Sequence, residues 1–326
     1  MTSNLLVIGE ITPRMHARLT PSFTLHYTDR IDDVPAFLER EGHGIAHVLT
    51  DGHSGVPHSW MDALPGLKLI SNYGVGYDAI DVGLTGERGV LVTHTPGVLS
   101  DEVATTALML MLACYRNLLA SDAFVRNGSW PEKRHMALSR SADHRRVGIL
   151  GLGRIGLALA RKLEPFHADI SYHNRTRRDV PYRYCPDLVK MAAESEVLFV
   201  VTPGGSETRS LVNREVIDAL GPDGMLVNVS RGSVVDEPAL VAALEEGRLG
   251  SAGLDVFADE PNVPAALFSM ENVVLTPHIG SSTEETRQAM GDLVVDNLLQ
   301  HQADGRVISP VPECRDESLT VDRLTV

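Results

Sequence analysis

Residues 147–163 read VGILGLGRIGLALARKL. The aliphatic run VGIL leads straight into Gly151-Leu-Gly153-Arg-Ile-Gly156, and a helical pattern follows from Arg154 to Leu163. Glycines at this spacing permit a tight turn, close approach of a pyrophosphate to the backbone, and close packing of a helix on a strand. The helix start adds N–H groups and the positive end of its dipole. A bare GxGxxG is weak; between a strand and a helix it predicts a dinucleotide site in a parallel α/β sheet.

Roughly twenty residues further on, a chain that binds NAD usually carries an acid for the adenosine ribose. Here Ser171–Arg178 reads SYHNRTRR, with no acid. A carboxylate would bond the 2′-hydroxyl and repel a 2′-phosphate. Asn174, Arg175 and Thr176 instead offer two neutral hydrogen-bonders and a guanidinium, which clasps phosphate well. NADP(H) is therefore the expected cofactor, against the plainer reading of a basic loop. Arg177 and Arg178 fit either reading.

The alternation continues on both sides of this unit. Strands are expected at Ala168–Tyr172, Val197–Val201, Met225–Val229, Ala252–Val256 and Val273–Thr276, about six in all, with a helix at Glu237–Glu246. The N-terminal third repeats the theme, with strands at Leu5–Ile8, Ala46–Leu49, Leu67–Ser71 and Val90–Thr93 and a helix at Asp33–Glu41. The fold class is α/β, two Rossmann-like doubly wound parallel-sheet domains. Between them Ser100 can cap a helix at 101–115 that is apolar on nearly all sides and therefore buried. A polar, ragged segment follows at Asn127–Arg146. The last long helix starts near Ser282, where Ser282-x-x-Glu285 fits a capping box.

Composition narrows the partners. The chain has 326 residues, with 43 Asp and Glu against 29 Lys and Arg, a formal charge of −14. That disfavours nucleic acid and anionic membrane, which need a positive face. The longest apolar run, about thirteen residues, is too short to span a bilayer. Three separated cysteines with no CxxC fit a reducing compartment, and no basic stretch precedes an apolar one at the N-terminus, so the cytoplasm is expected. His43 and His47 have helical i, i+4 spacing, but no HExxH or acidic ligand accompanies them, and no metal is expected. Ser100 and Ser230 lack a GxSxG elbow.

Three ionisable residues stand just past successive strand ends: Arg231 in VNVSRGSVVDEPAL, Glu260 in GLDVFADEP and His278 in LTPHIGSST. Strand carboxyl ends are where α/β sheets hold ligands. Hydride reduction of a carbonyl needs a proton donor, an anion anchor and a group that tunes the donor. His278 can donate a proton, Glu260 can pair with it and fix its orientation, and Arg231 can hold a substrate carboxylate and carbonyl.

With these motifs and NYGVGYDAIDV in the first domain, the sequence resembles the D-isomer-specific 2-hydroxyacid dehydrogenases over nearly its whole length. The resemblance implies that Arg231, Glu260 and His278 form a catalytic triad and that the backbone of Val75 and Gly76 holds the substrate carboxylate. It implies pyrophosphate contacts at Arg154 and Ile155 and a nicotinamide contact at Asp255. Gly151, Gly153, Gly156, Thr202, Pro203, Val229, Ser230, His278, Gly280 and Ser281 complete the cofactor candidates. HNRT at 173–176 resembles the NADPH-preferring glyoxylate/hydroxypyruvate reductases; formate dehydrogenases carry Gln where this chain has Glu260. A discontinuous substrate-binding domain, 1–97 plus 294–326, and a cofactor domain, 98–293, are implied, with the active site in the cleft. So is a homodimer built on the 101–115 helix, with Trp130–Leu138, including Met136, reaching a neighbouring subunit's site. The expected substrates are small anionic 2-oxo or 2-hydroxy acids. The alternatives are an NAD-dependent dehydrogenase of another D-2-hydroxy acid and a non-catalytic nucleotide sensor.

Overall fold

The structure, a computed structural model, describes residues 2–320. The chain divides into two compact units, Met1–Leu99 with Thr283–Val326, and Ser100–Ser282. The last six residues of the expected substrate-binding tail lie outside the described residues.

The first unit holds five parallel strands, β1 (Ser3–Val7), β2 (Phe23–Tyr27), β3 (Ile45–Thr50), β4 (Leu69–Asn72) and β5 (Leu91–Thr93), in the order β2-β1-β3-β4-β5. Four of these match the sequence expectation within a few residues. β2 was not anticipated. It is an edge strand, half-covered, and its FTLHY mixes polar with apolar residues where the central strands are near-continuous hydrophobic runs.

The return segment is the helix Glu284–Asp304. Its cap is Thr283, whose extended backbone lets the hydroxyl accept from Thr286 N at 3.3 Å, and not the expected Ser282 box. Its buried residues include Met290, Val294, Val295 and Leu298, and it packs on β4 and on the helix Pro13–Leu19. Arg14 and Arg18 bridge to Asp292, and Arg18 also to Asp296. One continuous apolar face places the whole helix in the first unit, so the second boundary falls at Thr283, where the sequence suggested 294.

The second unit has seven parallel strands: β6 (Arg146–Leu150), β7 (Asp169–His173), β8 (Arg183–Tyr184), β9 (Val197–Val200), β10 (Met225–Asn228), β11 (Ser251–Leu254) and β12 (Val273–Leu275). Their order is β12-β11-β10-β9-β6-β7-β8. The strand beyond the expected six is β8, two residues at the edge, too short to leave a hydrophobic signature. The helix Arg154–Leu163 has the expected bounds. The helix Ser100–Tyr115 packs on it and on β10, β11 and β12. Inside the expected ragged stretch and just before it lie two helices, Leu118–Arg126 and Ser129–Lys133. They expose Leu118, Leu119, Val125 and Trp130, and Leu138 beyond them is 98% exposed. Among the described residues no single helix is long and apolar enough to cross a membrane.

His47 lies in β3, so its spacing to His43 is not helical. Its Nε2 meets His301 Nδ1 of the return helix at 3.0 Å, and the Phe23 ring packs against it at a steep angle, the ring centroids 5.2 Å apart. Burial, then the neighbouring His301, hold the His47 pKa down at about 4. The unfolded imidazole titrates near 6.5, so between that value and about 4 the unfolded chain binds the extra proton. Stability present above pH 6.5 is lost as the pH falls towards 4, by about 1.4 kcal/mol per unit. Denaturant melts from pH 7 to 4 are expected to show this slope, and His47→Gln to flatten it; an unchanged slope would place the acid sensitivity elsewhere.

Candidate active site

The glycine turn joins β6 to the helix Arg154–Leu163. Gly151 has φ +99°, and a Cβ there would meet Thr202 N at 2.7 Å, so only glycine lets the end of β6 lie against Thr202, two residues past β9. A Cβ on Gly153 would meet nothing within 4 Å, so open space stands over the turn. Gly153 caps the helix without a side-chain bond, which leaves the N-terminal amides facing that space. Backbone N–H groups at a helix start with room above them fit a pyrophosphate.

The basic stretch is tied to this turn. Leu152 N donates to Asn174 Oδ1 at 2.7 Å, and Arg178 Nη1 donates to Leu152 O at 2.5 Å. The backbone of Arg178 is bonded in turn through its N–H and C=O to the buried Tyr172 hydroxyl. Arg178, ambiguous in the sequence, therefore braces the glycine turn. Asn174 is bonded to the turn and lies at the strand end, as expected. Arg175 and Thr176 are exposed. Arg175 pairs at 2.6 Å with Glu207, from the loop after β9, a residue the sequence did not single out. Pro203, on the same loop, is exposed.

Arg231, Glu260 and His278 follow β10, β11 and β12, which are neighbours in the sheet. Asn228, the last residue of β10, is buried and shapes the turn beyond it. Its Oδ1 accepts from the N–H and hydroxyl of Ser230, and its Nδ2 donates to Arg231 O. Val229 and Ser230 are buried in that turn. Gly232 closes it: a Cβ there would lie 1.9 Å from the Phe257 carbonyl carbon, so the backbone carrying Arg231 runs directly against the loop carrying Glu260.

Glu260 is fixed at one oxygen by Phe257 N at 3.0 Å, and its other oxygen meets His278 Nδ1 at 2.7 Å. His278 has φ +51°, a conformation that side chains other than glycine adopt at a cost and that clusters at functional sites. Asp255 supports it. This carboxylate is 1% exposed, and accepts from the Thr276 hydroxyl at 2.6 Å and from Ile279 N and Gly280 N at 2.8 Å each. Burial pushes its carboxyl up from the usual range, against three hydrogen bonds that favour the charged form. The sequence offered Asp255 as a nicotinamide contact; its oxygens also accept from the turn that runs through His278 to Gly280 and on to Ser281. Val75 and Gly76 follow β4 in the first unit. Among the described residues, no group of three or more His, Cys, Asp or Glu is placed to hold a metal ion.

The arrangement can therefore offer a phosphate-binding turn, a guanidinium, and a carboxylate-backed imidazole on adjoining loops. Comparison with known proteins agrees with that chemistry. Residues 108–280 match the family model described as the NAD binding domain of D-isomer specific 2-hydroxyacid dehydrogenases. The chain is 47% identical to a hydroxyphenylpyruvate reductase from Plectranthus scutellarioides, over 84% of this chain and 88% of that one. It is 46% identical to glyoxylate/hydroxypyruvate reductase A from Arabidopsis thaliana, with the same coverage. Its fold matches the crystal structure of an NADPH-dependent glyoxylate/hydroxypyruvate reductase from Sinorhizobium meliloti in complex with NADP and malonate. The TM-score is 0.92 at 44% identity, covering 96% of this chain and 98% of that one. By motif order, fold and these relationships, the chain belongs to the D-isomer specific 2-hydroxyacid dehydrogenase family.

Proposed function

We propose that the protein is an NADPH-dependent cytoplasmic reductase that converts small 2-oxo acids, glyoxylate and hydroxypyruvate above all, into D-2-hydroxy acids. The observation that carries this reading is the 2.7 Å pair of His278 Nδ1 and Glu260 Oε2. Because Nδ1 is engaged by a carboxylate, Nε2 is the nitrogen left to serve substrate. It gives its proton to the carbonyl oxygen as that oxygen gains negative charge. Glu260 stabilises the protonated ring and fixes its plane. Arg231 holds the substrate's carboxylate and carbonyl oxygen by charge-assisted bonds, and the N–H groups of Val75 and Gly76 take the carboxylate's other face. The nicotinamide, when bound, supplies the hydride to the carbonyl carbon.

NADPH preference rests on Asn174, Arg175 and Thr176. The nearby Glu207 keeps Arg175 at the strand-end loop, and a 2′-phosphate, with more charge and three acceptor oxygens, competes for the same guanidinium. The chain acts as a homodimer in this reading. The exposed Leu118, Leu119, Val125, Trp130 and Leu138, with Met136 and Met109, supply an apolar surface of the kind that partners cover.

Oxidation of NADPH on adding hydroxypyruvate or glyoxylate is expected to exceed that of NADH; absence of turnover with every 2-oxo acid would sink the assignment. Arg231→Ala is expected to lower kcat/KM by about 10²-fold or more, as loss of a transition-state anion anchor does. Arg175→Ala should raise KM for NADPH by roughly 10- to 100-fold while moving KM for NADH little, the span given by one lost charged hydrogen bond; equal effects on both would return the stretch to a basic loop. Sedimentation is expected to give twice the mass of one chain, and Leu118→Glu combined with Leu138→Glu to reduce it towards one.

A further inference from the structure

The loop after β4, Gly74–Tyr77, is held by two side chains to which nothing above assigns a role. Asn72, the last residue of β4, is fully buried. Its Nδ2 donates to Gly74 O at 3.0 Å and to Gly76 O at 2.9 Å. His94, just beyond β5, is 7% exposed, and its Nδ1 meets Val75 O at 3.0 Å. A carbonyl oxygen only accepts, so both amide hydrogens of Asn72 are committed and His94 carries its proton on Nδ1. Thr95 N adds a second bond to Gly74 O at 3.0 Å.

His94 is itself built in. Its N–H donates to Ser309 O at 3.1 Å and its C=O accepts from Ser309 Oγ at 2.7 Å. Its ring stands edge-on to Tyr77 at 5.4 Å. Three consecutive carbonyls, those of residues 74, 75 and 76, are thus each fastened by a donor from the protein. In a trans peptide, the C=O and the N–H that follows it point in opposite directions. The N–H groups of Val75, Gly76 and Tyr77 therefore each point away from the donor that fastens the preceding carbonyl. None of them meets a protein acceptor among the described residues. Successive N–H groups turned to one side form an anion-binding concavity, and such nests capture carboxylates.

We propose that Asn72 and His94 are the positioning residues for the substrate carboxylate, and that Tyr77 supplies a third N–H beside those of Val75 and Gly76. The inference rests on the reading that this loop holds the carboxylate. Neither side chain touches substrate; each acts by holding a carbonyl away from it, so that the nest exists before substrate arrives.

The test compares kcat/KM for glyoxylate with that for its uncharged methyl ester, alongside NADPH affinity and thermal melting. His94→Phe keeps a ring against Tyr77 and removes the donor. It is expected to raise KM for glyoxylate roughly tenfold, change kcat less than about threefold, leave the Kd of NADPH unchanged, and cut the preference for acid over ester roughly tenfold. His94→Asn, whose amide can stand where Nδ1 did, should restore most of that preference. Asn72→Ala removes two bonds and should cost more on the same scale. Should either variant melt far below the parent, the other decides the matter. A folded variant that loses activity on acid and ester equally, or that keeps the full preference, overturns the proposal. Gly76→Pro, which deletes one N–H of the nest directly, separates the two levels. If it loses the preference while His94→Phe keeps it, only the positioning role falls; if both keep it, the carboxylate reading falls as well.

Discussion

The buried carboxylate of Asp255 is the interaction on which the candidate site depends. A charge this far from water is costly unless its lone pairs are met. Here they are met by one hydroxyl and two amides, all from the five residues Thr276–Gly280. That loop has no ladder of its own and holds His278 in a left-handed conformation. The carboxylate replaces the missing secondary structure: it gathers the loop's donors around one point and leaves the imidazole facing Glu260. Asparagine in its place would keep one acceptor oxygen and lose the other, leaving part of the loop's donor set unmatched.

The same device recurs. Asn228 at the end of β10 uses both ends of its amide on Ser230 and Arg231, and Asn72 at the end of β4 does the same kind of work for Gly74 and Gly76. Parallel pairing brings every strand's carboxyl end to one edge of its sheet, which explains where chemistry collects but not how a loop is shaped there. Shape comes from a buried polar side chain at, or just after, the last strand position. This also explains how a chain with a charge of −14 can receive anionic ligands. In the proposed function, attraction would come from oriented amides and a few guanidinium groups, not from a basic surface.

Much of this was legible in the sequence, for identifiable reasons. The central strands are hydrophobic runs because both faces of their sheets are covered, and the Gly151–Gly156 turn has little freedom to be anything else. Arg231, Glu260 and His278 stood out as candidates because each follows such a strand. The edges were not legible: β2 mixes polar and apolar residues, and β8 is two residues long. Ser282 and Thr283 both had capping chemistry, and only backbone geometry chose Thr283. The supporting polar residues were hidden for a related reason. Asn72, Asn228 and His94 carry no spacing pattern, since each acts on its own neighbours or on a loop brought near by the fold. Asp255 was noticed as a ligand contact; its bonds to a loop some twenty residues along the chain had no spacing signal.

The link between Asn174 and Leu152 has one more consequence. The side chain has two ends with separate duties: its oxygen accepts from the glycine turn, while its NH2 group is what keeps the position uncharged. Aspartate would preserve the acceptor and replace the NH2 by a second oxygen, so the turn could survive while the local potential reversed. On the proposed reading, one contribution to cofactor choice and the geometry of the turn are carried by different atoms of one residue. On that reading, an isosteric change at this position would alter one part of the cofactor pocket without first rebuilding the glycine turn.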